Sequence, residues 1–476
     1  RTETDSPPCL PRGEQGFLLA MNARLARESH DGSVQQISGL TQSPSAPRDT
    51  PSVWQTVREF PRPVWFLFLG MFLNRFGTFV VPFLALHITR LGYSARQAGL
   101  ALGAFGAGHL LAAVIGGQLA DSLGRRRTIM LSVVSGAFCM LLLSQAVAFG
   151  WLVTLAFLTG LVGEFYRPAS SALLADLVPD EHRVTAYAAF RFSVNAGWAF
   201  GPAVAGMLAH RSYSWLFWGD AATSLLFGAV ALLWLPRDQN RPPRHLELLR
   251  AGLGGLGAMA RVARGDWPFL QLTAATFASA LVFMQLFTTL GLEMRAAGIP
   301  DTVYGLVLAL NGVLIVLFEI PLTSFTRRGP PRRFIAAGFA LIGIGAGSFA
   351  WADSAWGYAL GMAVLTAGEM FSMPVALAYV VSLAPADMRG RYLGTYGLTW
   401  AAAMTVGPSL GTGLFSWNPA GLWVACGLTG IAAAWWVALR GSAGSVSMRL
   451  RSLAICWSSV LLLGMWSTTQ IDENSV

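Results

Sequence analysis

The sequence predicts an all-α membrane protein with twelve transmembrane helices in two pseudo-symmetric six-helix bundles. Three observations predict it. Hydrophobic residues make up 54% and charged residues 12% of the 476 residues, too apolar a balance for a soluble chain of this length to hide in its interior. Apolar runs recur at the length that crosses hydrocarbon, about 20 residues per helix. Finally, Pro168, Pro179, Arg183 and Gly201-Pro202 return as Pro374, Pro385, Arg389 and Gly407-Pro408, each displaced by the same 206 residues, which marks an internal duplication.

In chain order, residues 1–57 are rich in Ser, Pro, Thr and Arg without apolar periodicity and are expected to form a disordered tail. The chain begins with Arg, and Met21 is a candidate start. The first long apolar run is a full span with no small-residue site behind a short core, so no cleavable signal peptide is expected. A first bundle, 58–236, holds spans at 63–87, 95–117, 127–149, 151–174, 184–209 and 214–235. A polar linker, 237–266, separates it from a second bundle, 267–440, with spans at 268–291, 302–324, 333–351, 355–382, 390–413 and 418–439. In the terminal segment, 441–476, residues 453–466 are apolar but short for a span and are read as interfacial or disordered. All these runs are too long and too weakly alternating for barrel strands, and lipid cannot satisfy an open backbone, so helices remain.

The formal charge of +9 is carried entirely by arginine, with no lysine, and its distribution argues against nucleic acid as a partner. Arginines collect in alternate loops: Arg58 and Arg62, Arg125 to Arg127, Arg183, the linker's Arg237, Arg241, Arg244, Arg250, Arg261 and Arg264, then Arg327, Arg328, Arg332 and Arg333, and Arg440. The opposite loops carry few, chiefly Arg90, Arg96, Arg211 and Arg295. By the positive-inside rule both termini and the linker are cytoplasmic. Cys9, Cys139, Cys426 and Cys456 have no metal-ligand spacing and imply no disulfide framework. No cofactor is expected, because there is no GxxxxGK[ST] loop for a nucleotide. An intramembrane hydrolase is disfavoured, since HExxH, paired catalytic aspartates and a GxSxG elbow are absent, and the chain is not read as an enzyme.

The sharpest local motif follows span 2: Gly117-Gln118-Leu119-Ala120-Asp121-Ser122-Leu123-Gly124-Arg125-Arg126-Arg127. It resembles the loop signature of the major facilitator superfamily, G-x-L-x-D-x-x-G-R-[KR]. With the duplication and the span count, the resemblance covers roughly residues 60 to 440 and implies the major facilitator fold. Glycines at both ends permit a tight turn and close helix approach. Asp121 is placed to meet a helix N-terminus or an arginine. In the family, Gly117, Asp121, Gly124 and Arg125 would form a cytoplasmic latch between the halves that favours the outward-open state; the alternative is a simple positive-inside anchor. The equivalent loop, Leu322 to Arg328, has Ser324 where Asp121 would be, so the latch is asymmetric.

Span 5 carries Gly197-Trp198-Ala199-Phe200-Gly201-Pro202-Ala203-Val204-Ala205-Gly206, which resembles the antiporter motif of proton-coupled exporters in that superfamily. Gly197, Gly201 and Gly206 allow close packing and Pro202 bends the helix. A pure packing role is the alternative.

Charges in the spans are the natural coupling groups, since each costs at least about 2.5 kcal/mol at mid-membrane and needs a partner or a wet cavity. The resemblance implies that spans 1, 4, 7 and 10 line a central cavity, and Asn74, Arg75, Glu164, Arg167, Gln285 and Glu369 fall on those spans. Glu164 and Arg167 share a helix face. Arg191, about 12 Å into span 5, lies at comparable depth, so a Glu164, Arg167 and Arg191 cluster is expected, either as a coupling group or as a fixed salt bridge. Glu369 has no basic neighbour in its own span, which suits proton exchange. Glu319, in span 8 and nearer the cytoplasmic surface, is a further coupling candidate ranked below Glu369 and Glu164, or else a partner of Arg327 or Arg328. His109 and Asp220 are read as satisfied structural residues.

Phe76, Phe79, Phe83, Phe283, Met284, Phe287, Met370, Phe371 and Met373 offer an adaptable apolar lining, better matched to a lipophilic drug than to a sugar. The resulting expectation is a drug:proton antiporter resembling bacterial multidrug-efflux members of the superfamily. It would act in the bacterial inner (cytoplasmic) membrane as a monomer, with a small-molecule substrate, protons and membrane lipids as its partners. Two other readings stand beside it: a solute importer or facilitator for sugars, organic acids or metabolites, and a transport-silent sensor or scaffold.

Overall fold

The computed structural model describes residues 53–237, 266–326, 329–385 and 388–439. The membrane fold belongs to the unit that begins at Thr56. Met21, Cys9 and Cys456, the linker arginines from Arg241 to Arg264, Arg327, Arg328, Arg440 and the 453–466 segment lie outside the described residues.

The first half runs through α1 (Arg62–Phe76), α2 (Val80–Arg90), α3 (Ala95–Ser122), α4 (Arg125–Gln145), α5 (Phe149–Val162), α6 (Tyr166–Leu177), α7 (Arg183–Arg211) and α8 (Ser214–Trp234). The second continues with α9 (Trp267–Thr288), α10 (Leu290–Ala296), α11 (Asp301–Thr326), α12 (Pro331–Ser348), α13 (Ala355–Leu383), α14 (Arg389–Trp417) and α15 (Pro419–Ala438). These form twelve rods, because α1 with α2, α5 with α6 and α9 with α10 follow one another along single paths. Spans 1 and 4 are therefore not the continuous helices expected at 63–87 and 151–174. They are interrupted at Gly77–Phe79 and Gly163–Phe165, breaks that a window of apolar residues does not register.

Local chemistry explains several of the ends. Ser94 and Gln97 form a capping box that starts α3. The side chains of Asp266, Ser354 and Asn418 accept from the first turns of α9, α13 and α15. Gly124 turns the chain between α3 and α4 at φ 100°, a conformation that favours glycine.

Among the described residues nine helices are long and apolar enough to cross a membrane, and the bent pair Ala95–Ala113 with Ile115–Ser122 makes ten. The two remaining rods, α7 and α14, are 29 residues each and fall short only in apolarity. They are equivalent helices of the two repeats, and both lie between the halves. The threonine hydroxyls of α14 are satisfied within the helix, Thr395 donating to Arg391 O, Thr405 to Ala401 O and Thr412 to Pro408 O. The bilayer is therefore met with few unsatisfied groups. Trp151, Trp215, Trp351 and Trp356, all exposed, ring one end of the bundle, where indole rings favour the headgroup level.

Packing repeats with the sequence. In the first half α4 packs on α8, and in the second α12 packs on α15. Across the halves α3 packs on α14 and α7 on α11, which is the same pair of helices exchanged by a two-fold relation.

Candidate functional site

Between the halves lies a cavity of about 1010 Å³ with residues of both halves in its wall. Its apolar lining includes Trp198, Phe283, Met284, Phe287, Trp400 and Met404, and its ionisable groups fall into two clusters, one per half.

The first cluster centres on Glu164, which sits in the break between α5 and α6 and so projects from neither helix. Its Oε2 lies 2.7 Å from Arg167 Nε, 3.6 Å from Arg75 Nη2 and 3.7 Å from His109 Nδ1. Arg75 is 4% exposed and its guanidinium stacks 5.5 Å over the Tyr166 ring. One carboxylate thus serves two guanidinium groups. Arg167, 47% exposed, forms the side of the cluster open to the cavity.

This corrects the expected Glu164, Arg167 and Arg191 grouping. Arg191 lies on the face of α7 that meets α11, so its Nη2 donates to Glu319 Oε1 across the halves at 2.8 Å, with Asn195 Nδ2 at 3.4 Å from Oε2. Glu319 is therefore bound to the opposite half. A second cavity, about 670 Å³, borders this bridge.

The second cluster is Glu369. Asn311 Nδ2 donates to its Oε2 at 2.7 Å and to Thr366 Oγ1 at 3.0 Å, and the Thr366 hydroxyl donates to Met362 O. The acid is held by an amide and not by a cation. Asn311 escaped sequence reasoning because it stands on span 8, outside the spans expected to line the cavity, and Thr366, although on span 10, is an uncharged hydroxyl that a helix can satisfy by itself. An asparagine within the apolar run of α11 was the available signal.

Of the proposed lining residues, Arg75, Phe283, Met284 and Phe287 face the large cavity; Phe76, Phe83, Phe371 and Met373 do not, and neither do four others. Asn74 borders a separate small pocket behind Arg75. Phe79, 3% exposed, packs edge-on against Phe76 and against Gly219 of α8. Gln285 is buried, with Nε2 donating to Leu281 O and to Gly407 O of α14, and it acts as an interhelical clamp. Met370 is buried within the second half. All four stand on rods that border the cavity, but their rotation about the helix axis turns them into packing.

The antiporter-like motif lies in the helix seams. A Cβ at Gly197 would meet Arg75 and Phe76 of α1, and one at Gly201 would meet Phe76 O at 2.5 Å. Gly206 packs on Asp301, Thr302 and Gly305 of α11. Pro202 lines the cavity and its carbonyl faces Gly305. The glycines are thus used for close approach, two within the first half and one across the halves.

The two ends of the cavity differ. At the end ringed by exposed tryptophans, Arg295 Nη2 contacts Asp301 Oδ2 at 3.0 Å and the Tyr213 hydroxyl, and Arg295 Nη1 donates to Leu86 O at 3.1 Å. The Tyr213 hydroxyl also donates to Asp301. This clamp ties α2 and α8 of one half to α10 and α11 of the other. Close glycine contacts extend it inward: Gly99, Gly103 and Gly106 of α3 press on Pro408, Thr405 and Met404 of α14.

At the Asp121 end the same two helices diverge, and a Cβ at Gly117, Gly390 or Gly397 would meet nothing within 4 Å. Among the described residues, the contacts of α3 with α14 thus gather toward the Arg295 end, where the clamp adds to them, and thin toward the Asp121 end. Here Asp121 pairs with Arg125, and Arg125 Nε approaches Asp176 of α6 at 3.4 Å. All three lie in the first half, so among the described residues the contacts of Asp121 and Arg125 stay within that half.

The sequence profile of the Major Facilitator Superfamily matches residues 67–296 and again 272–466. A Na(+), Li(+), K(+)/H(+) antiporter of Planococcus maritimus is 27% identical over 368 residues, 71% of this chain and 85% of its own. The quinolone resistance protein NorA of Staphylococcus aureus is 24% identical over 166 residues, 35% of this chain and 43% of its own. Among solved structures, a POT family transporter in complex with 5-aminolevulinic acid superposes with a TM-score of 0.67 at 16% identity, over 80% of this chain and 98% of the other. The chain, a multi-pass membrane transporter, belongs to the Major Facilitator Superfamily.

Proposed function

We propose that the protein is a proton-coupled antiporter that exports lipophilic drugs or other small molecules by alternating access. The observation that carries it is the placement of Glu164 and Glu369, one acid from each half, on one largely apolar cavity between the halves. Residues 58–236 and 267–440 rock about that cavity as a monomer in the cytoplasmic membrane of a bacterium. With both termini and the linker cytoplasmic, the clamped Arg295 end is the outer one. A proton taken up from outside neutralises an acid and weakens the hold on substrate, and its release inside resets the carrier. Glu369, whose partner is an amide, is the stronger proton carrier. Glu164, already shared by two arginines, is the group that orders the wall.

Proteoliposomes with an imposed pH gradient and fluorescent lipophilic cations test this reading. Wild-type flux should follow the gradient and collapse with an uncoupler, whereas flux that persists without the gradient would favour a facilitator. Glu369→Gln should abolish the gradient-driven component while leaving the protein inserted, and an unchanged pH profile would move coupling elsewhere. Asp121→Asn should slow transport about tenfold, the effect of roughly 1.4 kcal/mol on the population of the opposite, latched state. Wild-type flux in that variant would remove the latch.

A second reading, exchange of an alkali cation for the proton, is favoured by the company of Glu369. A carboxylate, a hydroxyl and an amide that can present oxygen on rotation form a hard-oxygen set suited to such ions. The antiporter of Planococcus maritimus is a relative in keeping with it. Sodium or lithium gradients in the same vesicles decide: proton movement driven by either ion, and lost in Asn311→Ala, would establish this exchange.

A further inference from the structure

The break in span 1 is built around an acid from span 6. Asp220, 8% exposed on α8, accepts hydrogen bonds from the backbone N–H groups of Phe79 and Val80, the first donors of α2. A helix N-terminus carries partial positive charge, so the carboxylate both caps α2 and meets its dipole. The neighbouring surface is moulded to this contact. A Cβ at Gly77 would lie 1.7 Å from Thr223 Oγ1, and the Phe79 ring fills the space that a Cβ at Gly219 would need. The chain can bend here because both helices supply a glycine at the crossing.

Behind the break is a pocket of about 50 Å³ bordered by Asn74, Arg75, Thr159, Tyr166, Asp220 and Ser224, with Glu164 at its cavity side. Its size suits one or two water molecules, each occupying about 30 Å³ with two to four polar partners. Such partners are present: Arg75 Nε and Nη2, Thr159 Oγ1 and the Tyr166 hydroxyl have no hydrogen-bond partner in the protein. Arg75, on the last turn of α1, thus stands between two acids, Glu164 toward the cavity and Asp220 behind it. The charged groups facing Asp220 are Arg75 from α1 and Glu164 from the break between α5 and α6, and Tyr166 of α6 is the other titratable side chain on the pocket. His87 of α2 packs further along α8, against Tyr213 and Phe217. From α4 the pocket receives Ser132, and α7 contributes no charged side chain to it.

We infer that Asp220 is a proton-binding site that sets the bend of span 1, reached through water in the small pocket. Ionised, its carboxylate holds the N-terminus of α2 and offsets Arg75. On taking a proton from the pocket it becomes a neutral acid, loses its grip on the α2 donors and leaves Arg75 to Glu164 alone, so the bend relaxes. The proton reaches and leaves Asp220 by way of the pocket water, and no other reactant is needed. This rests on the proton-coupled reading above and adds a third acid to it, hidden from the large cavity.

The test uses the full chain in nanodiscs, with spin labels at Leu123 and Arg391 to read the Asp121 end and at Arg211 and Ala297 to read the Arg295 end. Asparagine caps a helix as well as aspartate but does not ionise. Wild-type distances should change with pH, and Asp220→Asn should fold and lose that response. Asp220→Glu should restore it with a displaced midpoint, which keeps the test decisive if the asparagine variant is poorly folded. A response in Asp220→Asn that matches wild type, a glutamate midpoint equal to wild type, or a wild type indifferent to pH would each overturn the inference. Gradient-driven flux of the wild type, measured separately, tells this failure from that of the antiport reading. A wild type whose distances respond through Asp220 but whose flux ignores the gradient removes antiport and leaves the proton site standing.

Discussion

Glu164→Gln is expected to destabilise the protein by about 3–5 kcal/mol and to abolish gradient-driven transport, because it strips the counter-charge from two guanidinium groups at once. Arg75 is 4% exposed and its Nε and Nη2 lack hydrogen-bond partners in the protein, so only the water of the small pocket is left to meet its charge when the carboxylate is gone. Arg167 is cushioned by its exposure to the cavity. The loss should therefore be traced mainly to Arg75, and a second substitution can show it. Glu164→Gln combined with Arg75→Gln should be more stable in thermal unfolding than Glu164→Gln alone, since the double change leaves only the cavity-exposed Arg167 without its counter-charge. Additive losses in the double-mutant cycle would mean that the two side chains do not interact energetically, and the cluster would lose its meaning.

Arg295→Ala should open the far end. In this conformation one guanidinium holds Asp301, the Tyr213 hydroxyl and the Leu86 carbonyl, and no other described side chain joins the halves at that end through as many partners. The group is partly exposed, at 34%, so its removal is set at about 2 kcal/mol, near the lower end for a hydrogen-bonded charge pair. That shifts the ratio of the two conformations by roughly thirtyfold toward the state open at the Arg295 end. Labels at Arg211 and Ala297 should separate while those at Leu123 and Arg391 approach. Asp301→Asn should act in the same direction more weakly, since the amide still accepts from Tyr213. If neither variant moves either distance, the clamp is ornamental and closure rests on the glycine contacts of α3 with α14.

The fold was legible because its signals are local or periodic. Twelve rods follow from the lengths of apolar runs, and the two-fold relation follows from prolines and arginines repeated 206 residues apart. Even the two rods that fall short in apolarity, α7 and α14, were placed, because the repeat pairs Gly201-Pro202 with Gly407-Pro408. The site was legible only in part. Glu164 with Arg167 could be read, as could the isolation of Glu369 from any cation. The loss of Arg191 to Glu319, and the replacement of that expected partner by Arg75 and His109, depend on which face each helix turns inward. Phe79, Gln285 and Met370 failed for the same reason, since a membrane helix that is apolar all round leaves no stripe to orient it.

From the residues alone came the class, the spans, the repeat and the identity of the charges that would be costly in lipid, all of which follow from transfer energies summed along the chain. The partners of those charges, the breaks at Gly77–Phe79 and Gly163–Phe165, the cap of Asp220 on α2 and the choice of which end is clamped were settled by tertiary structure. The physical reason is that each depends on contacts between helices far apart in sequence. Rotations of about 100° per residue decide whether a side chain meets a carboxylate, a ring or the cavity.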